Sequence, residues 1–185
     1  LSVIKDEIDL EVLSQAIADQ FAGKDSKLTA EQALKVQESF TATIQAKQAA
    51  EAEAKAAKGK EEGAAFLATN KDKPGVKVTE SDLQDQVVRA GNGPKPASTD
   101  VVRVHYKGTL LDGTVFDSSY DRGQPVEFGL SQVIPGWSEG VALMPVGSKY
   151  TFWIPAELGY GEAGGGPIPP NAMLTFEVEL MEIVK

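Results

Sequence analysis

The sequence predicts an α+β protein: an all-helical N-terminal region with a long connecting helix, then an antiparallel sheet wrapped around one short helix. Three observations carry this. The apolar period switches from helical to two at Lys71-Asp72-Lys73-Pro74-Gly75. No bulky apolar residue lies between Gln45 and Gly63, in a run dominated by alanine, glutamate and lysine. After Pro74 the only helical pattern is the nine residues from Gly136 to Met144, too short to stand alone.

The first helix has an apolar face of Ile8, Leu10, Val12, Leu13, Ile17 and Phe21, with Asp9 as N-cap and Gly23 as stop. The second opens at Thr29, where Gln32 completes a capping box, and runs to about Asn70. At 1.5 Å per residue it is roughly 60 Å long. Leu34, Val36, Phe40 and Ile44 are its bulky apolar groups near the start. The Ala49–Lys58 run is strong helix former, with Glu51 four residues before Lys55. Polar on all sides, it is expected to run through solvent as a spacer. Gly59 and Gly63 are expected to permit mild bending, and Phe66 and Leu67 to dock on the sheet domain. These readings divide the chain into residues 1–44, a helical region; 45–73, a solvent-exposed connecting helix; and 74–185, a sheet domain.

Residues 1–44 carry too few bulky apolar side chains to stabilise a domain alone, and have no cysteine or histidine for a staple. A second copy is therefore expected to cover their apolar face, giving a homodimer through the N-terminal helices. In the sheet domain, Val102, Val104 and Tyr106 alternate with Arg103, His105 and Lys107. Tyr150, Phe152 and Ile154 alternate with Thr151 and Trp153, and Leu174, Phe176, Val178 and Leu180 with Thr175, Glu177 and Glu179. This is the pattern of half-buried antiparallel strands. Gly91-Asn92-Gly93-Pro94 and Asp112-Gly113 mark turns.

Composition narrows the function. The 185 residues carry a formal charge of −9, and both the helical and the sheet halves are acidic, which disfavours nucleic acid as a partner. Without cysteine there are no disulfides and no thiolate metal sites. No run of 18 uncharged apolar residues exists to span a membrane. His105, the single histidine, lies on a strand with no nucleophile pattern beside it and reads as a structural hydrogen-bonder. Asp112, Asp117 and Asp121 lack calcium-loop spacing. The glycines from Gly161 to Gly166 precede a strand rather than a helix, so they suit a loop rim better than a phosphate cradle. No metal and no cofactor is expected.

Five motifs remain that alternation does not explain: Val104-His105-Tyr106-Lys107-Gly108, Asp112–Ser119, Val133-Ile134-Pro135-Gly136-Trp137, Gly159-Tyr160-Gly161 and Ile168-Pro169-Pro170. They read as walls of one apolar pocket holding a single carboxylate, Asp117, which an ordinary core would leave unsatisfied. In this order they resemble the FKBP family of peptidyl-prolyl isomerases over about residues 83–185. The helical half, the Lys73-Pro74-Gly75 junction and the Leu28-Thr29-Ala30-Glu31-Gln32 opening are similar to the Mip-type bacterial subgroup.

The resemblance implies an FKBP fold for residues 74–185 and isomerisation of X-Pro bonds in proline-containing polypeptides. It implies catalytic roles for Asp117, Tyr160, Phe116, Trp137 and Phe176. Substrate, or a macrolide inhibitor of the family, would also meet Tyr106, Val126, Phe128, Val133, Ile134 and Ile168. Three positions depart from the family pattern. Val126 stands where an aromatic is frequent, Gln132 where a carboxylate is common, and the Glu162–Pro167 loop is one residue short and lacks a large side chain. The subgroup further implies a dimer and an exported, periplasmic location, with the cytoplasm as alternative. A second function class is a holdase chaperone, in which clients are clasped by the helical dimer and isomerisation is secondary.

Overall fold

The computed structural model of the chain describes residues 9–24 and 29–184. Ile8, Leu28 and the side chain of Leu10 lie outside the described residues. Contacts divide the chain into two units, Leu1–Ala54 and Lys55–Lys185.

Helix α1 spans Leu10–Phe21. Asp9 caps it: its Oδ1 accepts from the backbone N–H of Glu11 at 2.9 Å and of Val12 at 3.1 Å. Gly23, with φ +68°, ends it, since a left-handed residue turns the chain out of the helix and glycine takes that conformation without strain. Helix α2 spans Ala30–Asn70. Its capping box is reciprocal: Thr29 N–H donates to Gln32 Oε1 at 2.9 Å, and Gln32 N–H to Thr29 Oγ1 at 3.2 Å.

The stretch expected to be solvated throughout is not uniform. From Gln45 to Ala54 nearly every residue is exposed. Within the second unit a stripe of the same helix is covered: Ala56, Gly59, Gly63, Leu67 and Asn70, with Gly63 and Asn70 buried. This spacing is one helical face. Asn70 Nδ2 donates to Gln84 Oε1 at 2.9 Å, and Gln84 Nε2 donates to the Leu67 carbonyl at 2.9 Å. Leu67 sits in this stripe, where the sequence expected it to dock; the Ala56–Gly63 part lacks bulky apolar groups, so hydrophobic patterning does not reveal it.

Among the described residues the sheet has seven strands, all paired antiparallel: β1 Val76–Val78, β2 Gln84–Arg89, β3 Val101–Thr109, β4 Val115–Ser118, β5 Val126–Gly129, β6 Lys149–Ile154 and β7 Leu174–Val184. The order is β1-β2-β6-β7-β3-β4, with β5 also on β3. One end of β3, Val101–Val104, pairs with β5, and the other, Lys107–Thr109, with β4. Both short strands therefore end on the same edge, which brings the Asp117 and Phe128 regions together.

The alternation expected on β3, β6 and β7 is realised. Val102, Val104, Tyr106, Phe152, Ile154, Leu174, Phe176, Val178 and Leu180 are buried in one core cluster. Helix α3, Pro135–Ala142, crosses that face. It approaches very near because Gly136 and Gly140 lie against β6: a Cβ at Gly136 would come 2.5 Å from Ile154 Cγ2, and one at Gly140 2.8 Å from the Phe152 ring.

Candidate active site

Pro135 at the first helical position fixes the start of α3. The residue before a proline is pushed out of the helical region, so Ile134 is extended at φ −58° and ψ 148°. That bend aims Val133 and Ile134 at the cavity mouth while the first turn of α3 sends Trp137 into the floor, 4% exposed.

The rings around Trp137 meet mostly edge to face, the geometry aromatic quadrupoles favour. Trp137 lies 5.2 Å from Tyr106, 5.4 Å from Phe128 and 5.3 Å from Phe176, centroid to centroid, at interplanar angles of 88°, 77° and 84°. Phe116 stands 5.4 Å from Phe176 at 86°. Gly108 makes that last pair possible: a Cβ there would lie 2.5 Å from Phe116 Cζ and 2.8 Å from Phe176 Cε1. The result is a cavity of about 560 Å³ lined by Tyr106, Phe116, Asp117, Phe128, Val133, Ile134, Trp137, Tyr160, Ile168 and Phe176, together with Gln132, Gly165 and Pro167. Tyr160 and Ile168 arrive from the loop before β7, which a two-way hydrogen-bonded bridge between Gly165 and Ile168 tightens. Of the residues expected at the site, Val126 alone is off the lining. It packs on the core instead.

Asp117 differs from its expected setting as a lone buried charge. Its side chain is 42% exposed, at the rim. Tyr106 Oη donates to Asp117 Oδ2 at 2.5 Å, and Arg122 Nη1 to Asp117 Oδ1 at 2.5 Å. Arg122 Nη2 also donates to Tyr106 Oη at 2.7 Å, and the guanidinium lies 5.6 Å from the Tyr106 ring centroid. Burial pushes the Asp117 carboxyl up, but hydrogen bonds from Tyr106 and Arg122 and the guanidinium charge outweigh it and hold the group below the ordinary carboxylate value. Burial, then the bond to Asp117, push the Tyr106 phenol up against the opposing pull of Arg122. Around neutrality the site thus presents an ionised Asp117, already paired, and a neutral Tyr106.

Arg122 is the residue that sequence reasoning missed. It sits in the Tyr120–Gly123 turn, where Gly123 N–H donates to the Tyr120 carbonyl and Gly123 has φ +71°. Fully buried Ser119 stitches this segment to β3: Tyr106 N–H donates to Ser119 Oγ at 2.8 Å, and Ser119 N–H to the Tyr106 carbonyl at 3.0 Å. The signal available was physical: a carboxylate in an apolar pocket calls for a cation, and Arg122 is the first one after Asp117 in the chain. His105 lies outside the cavity, as expected of a structural group. Its Nδ1 is 2.9 Å from Ser119 Oγ and its ring stacks on Tyr120 at 4.7 Å.

An aromatic cavity thus lies between a short helix and an antiparallel sheet, with a paired aspartate at its rim. The family is shown by comparison with known proteins. Residues 93–181 match the family described as FKBP-type peptidyl-prolyl cis-trans isomerase, and residues 1–87 the domain amino terminal to it. The chain belongs to the FKBP-type peptidyl-prolyl isomerase family.

Among its relatives, the FKBP-type peptidyl-prolyl cis-trans isomerase FkpA of Aeromonas hydrophila is 51% identical over 97% of this chain. The outer membrane protein MIP of Legionella longbeachae is 45% identical over 97% of this chain and 77% of its own length. The chain spans 66% of the length of the Aeromonas protein. The crystal structure of FkpA from Escherichia coli superposes with a TM-score of 0.84 at 41% identity, covering 95% of this chain and 82% of that one.

Proposed function

We propose that this chain accelerates cis-trans rotation about X-Pro bonds in polypeptides by favouring the twisted imide in the Trp137-floored cavity. Amide resonance sets a barrier of about 18–20 kcal/mol, whereas the two planar isomers before proline differ by only about 0.5–1 kcal/mol. A catalyst therefore acts on the barrier alone. Rotation uncouples the nitrogen lone pair from the carbonyl, so the twisted state is less dipolar than either planar one. Surroundings poor in water penalise it less, which is differential binding of the transition state.

Magnitudes assign the work. A thousandfold acceleration asks for about 4 kcal/mol, and one neutral hydrogen bond supplies about 1 kcal/mol. Most of the effect must come from the apolar walls. Trp137, Phe116 and Phe176 hold the prolyl ring, with Tyr106, Phe128, Val133 and Ile168 around it. The Tyr106 hydroxyl is already engaged with Asp117 and Arg122, so the hydrogen-bond donors assigned to the substrate carbonyl are Tyr160 Oη and Ile134 N–H. Asp117 orients Tyr106 and Arg122 and sets the field at the rim. Macrolide inhibitors of the family would compete for the same cavity.

The observation that carries this reading is the ring cluster enclosing one cavity beside Asp117. Asp117→Ala tests it. A protease-coupled prolyl-peptide assay is expected to give at least a tenfold lower kcat/KM, about 1.4 kcal/mol of transition-state stabilisation, with an unchanged circular dichroism spectrum. Equal rates would remove Asp117 from the mechanism.

The N-terminal unit supports a homodimer. Val12, Leu13, Ile17 and Phe21 of α1, and Leu34 and Val36 of α2, are exposed, Phe21 by 90%. A second copy would cover them. The similarity to the outer membrane protein MIP of Legionella longbeachae favours an exported location. Among the described residues no helix is long and apolar enough to cross a membrane.

A further inference from the structure

The loop that brings Tyr160 and Ile168 to the cavity is held from outside it. Its base is closed by Asn171, whose N–H donates to the Gly161 carbonyl at 2.9 Å. Asn171 has φ +54°, a left-handed conformation that asparagine tolerates better than most residues. Its side chain reaches away from the loop: Nδ2 donates to the carbonyl of Ala56 on α2 at 3.3 Å.

Gly59 lies three residues along the same face of the helix. A Cβ there would come 2.9 Å from the Pro170 carbonyl oxygen and 3.1 Å from that of Asn171. At Gly63 it would come 3.1 Å from Met173 Cβ. Glycine is unfavourable inside a helix relative to alanine, and alanine occupies nearby positions 56, 57, 64 and 65. At Gly59 a methyl group would strike the stem of the loop, and at Gly63 it would press tightly on Met173. The two glycines allow a close approach that the sequence reading did not foresee.

We infer that Asn171, seated on the Ala56–Gly63 face of α2, is a positioning residue for prolyl substrates: the helix sets how far the Tyr160–Ile168 loop closes over the cavity. This rests on the isomerase reading proposed above. The floor rings Trp137, Phe116 and Phe176 belong to α3, β4 and β7 and do not depend on the loop, so the contact acts on how substrate is held more than on rotation once it is seated.

The test uses the full chain with Asn171→Gly, which keeps the backbone conformation and deletes the amide, and Gly59→Ala, which favours the helix and displaces the stem. Ala57→Gly, at an exposed position of the same turn, weakens the helix without touching the loop. Two readouts are taken: hydrogen exchange at the Asn171 and Ile168 amides, and KM and kcat on a prolyl tetrapeptide. Both test variants are expected to speed exchange about fivefold and to raise KM by a similar factor, with kcat within about twofold of wild type. Ala57→Gly is expected to change neither.

Unchanged exchange in both test variants overturns the inference. So does faster exchange with wild-type KM, or the same response from Ala57→Gly. A wild-type chain inert towards the peptide would overturn the isomerase reading instead, and exchange alone would then decide whether the helix holds the loop.

Discussion

Gly108→Ala probes how tightly the cavity depends on its ring packing. The added methyl would lie 2.5 Å and 2.7 Å from Phe116 Cζ and Cε2 and 2.8 Å from Phe176 Cε1. Ordinary carbon contacts begin near 3.5 Å, so the contacts to both rings must open, by about 1 Å to Phe116 and about 0.7 Å to Phe176. Phe176 is 5% exposed and wedged against Trp137, whereas Phe116 is only partly buried. The backbone at residue 108 therefore yields in part, and Phe116 takes most of the displacement, into the cavity or away from it. Because it has somewhere to go, the stability cost sits at the low end of overpacking, about 1 kcal/mol. For a unit of this size that is a Tm drop of about 3–5 °C by calorimetry. The cost to function is larger, because the wall that grips the prolyl ring is displaced. A loss of kcat/KM of about tenfold to a hundredfold is expected in the peptide assay, since a misplacement of about 1 Å can cost as much as a hundredfold. A variant within twofold of wild type, with its Tm lowered as described, would refute the link between the Phe116–Phe176 contact and turnover.

The rim and the helix each carry a further prediction. Asp117 is held below its reference value of 3.8 and Tyr106 above its reference value of 10.0, so neither titrates between those limits. The depressed Asp117 contributes stability above pH 3.8 that is lost as pH falls through its lowered value. Arg122→Ala is expected to move the acid limb of kcat/KM to higher pH, by less at high salt because both side chains are about 40% exposed. An acid limb that stays in place would remove Arg122 from the rim network. For truncation, residues 55–185 are expected to fold, sediment as a monomer and keep peptide activity. Residues 74–185 lose the Asn70–Gln84 bond and the helix over Met173, and are expected to melt lower and bind substrate less well. Equal behaviour of the two truncated forms would contradict the contact. If the monomeric 55–185 form also helps a whole protein refold as well as the full chain does, the holdase alternative loses its basis.

Much of this architecture was legible because each feature was local. The Asp9 cap, the Thr29–Gln32 box and the alternation on β3, β6 and β7 depend on neighbours a few residues away, and the pocket motifs carried the family resemblance. What escaped was nonlocal. Strand β2 inverts the usual pattern: Gln84 and Asp85 are buried while Val88 is exposed by 57%. Gln84 is buried because it bonds the end of α2, which no periodicity encodes. Arg122 reaches Asp117 only after a turn folds back on β3. Gly59 and Gly63 read as weak points of a helix until the loop stem is placed beside them. At Val126 the strand was placed correctly, but the side chain packs on the core instead of the cavity.

The central claim is tested most directly by exchange NMR on an X-Pro tetrapeptide at equilibrium, with catalytic amounts of the chain, before and after adding a macrolide inhibitor. The account predicts cis-trans exchange accelerated by at least a hundredfold, about 2.7 kcal/mol off the barrier, and returned to the uncatalysed rate by the inhibitor. Exchange no faster than in buffer, from a chain that folds and binds the macrolide, would contradict it.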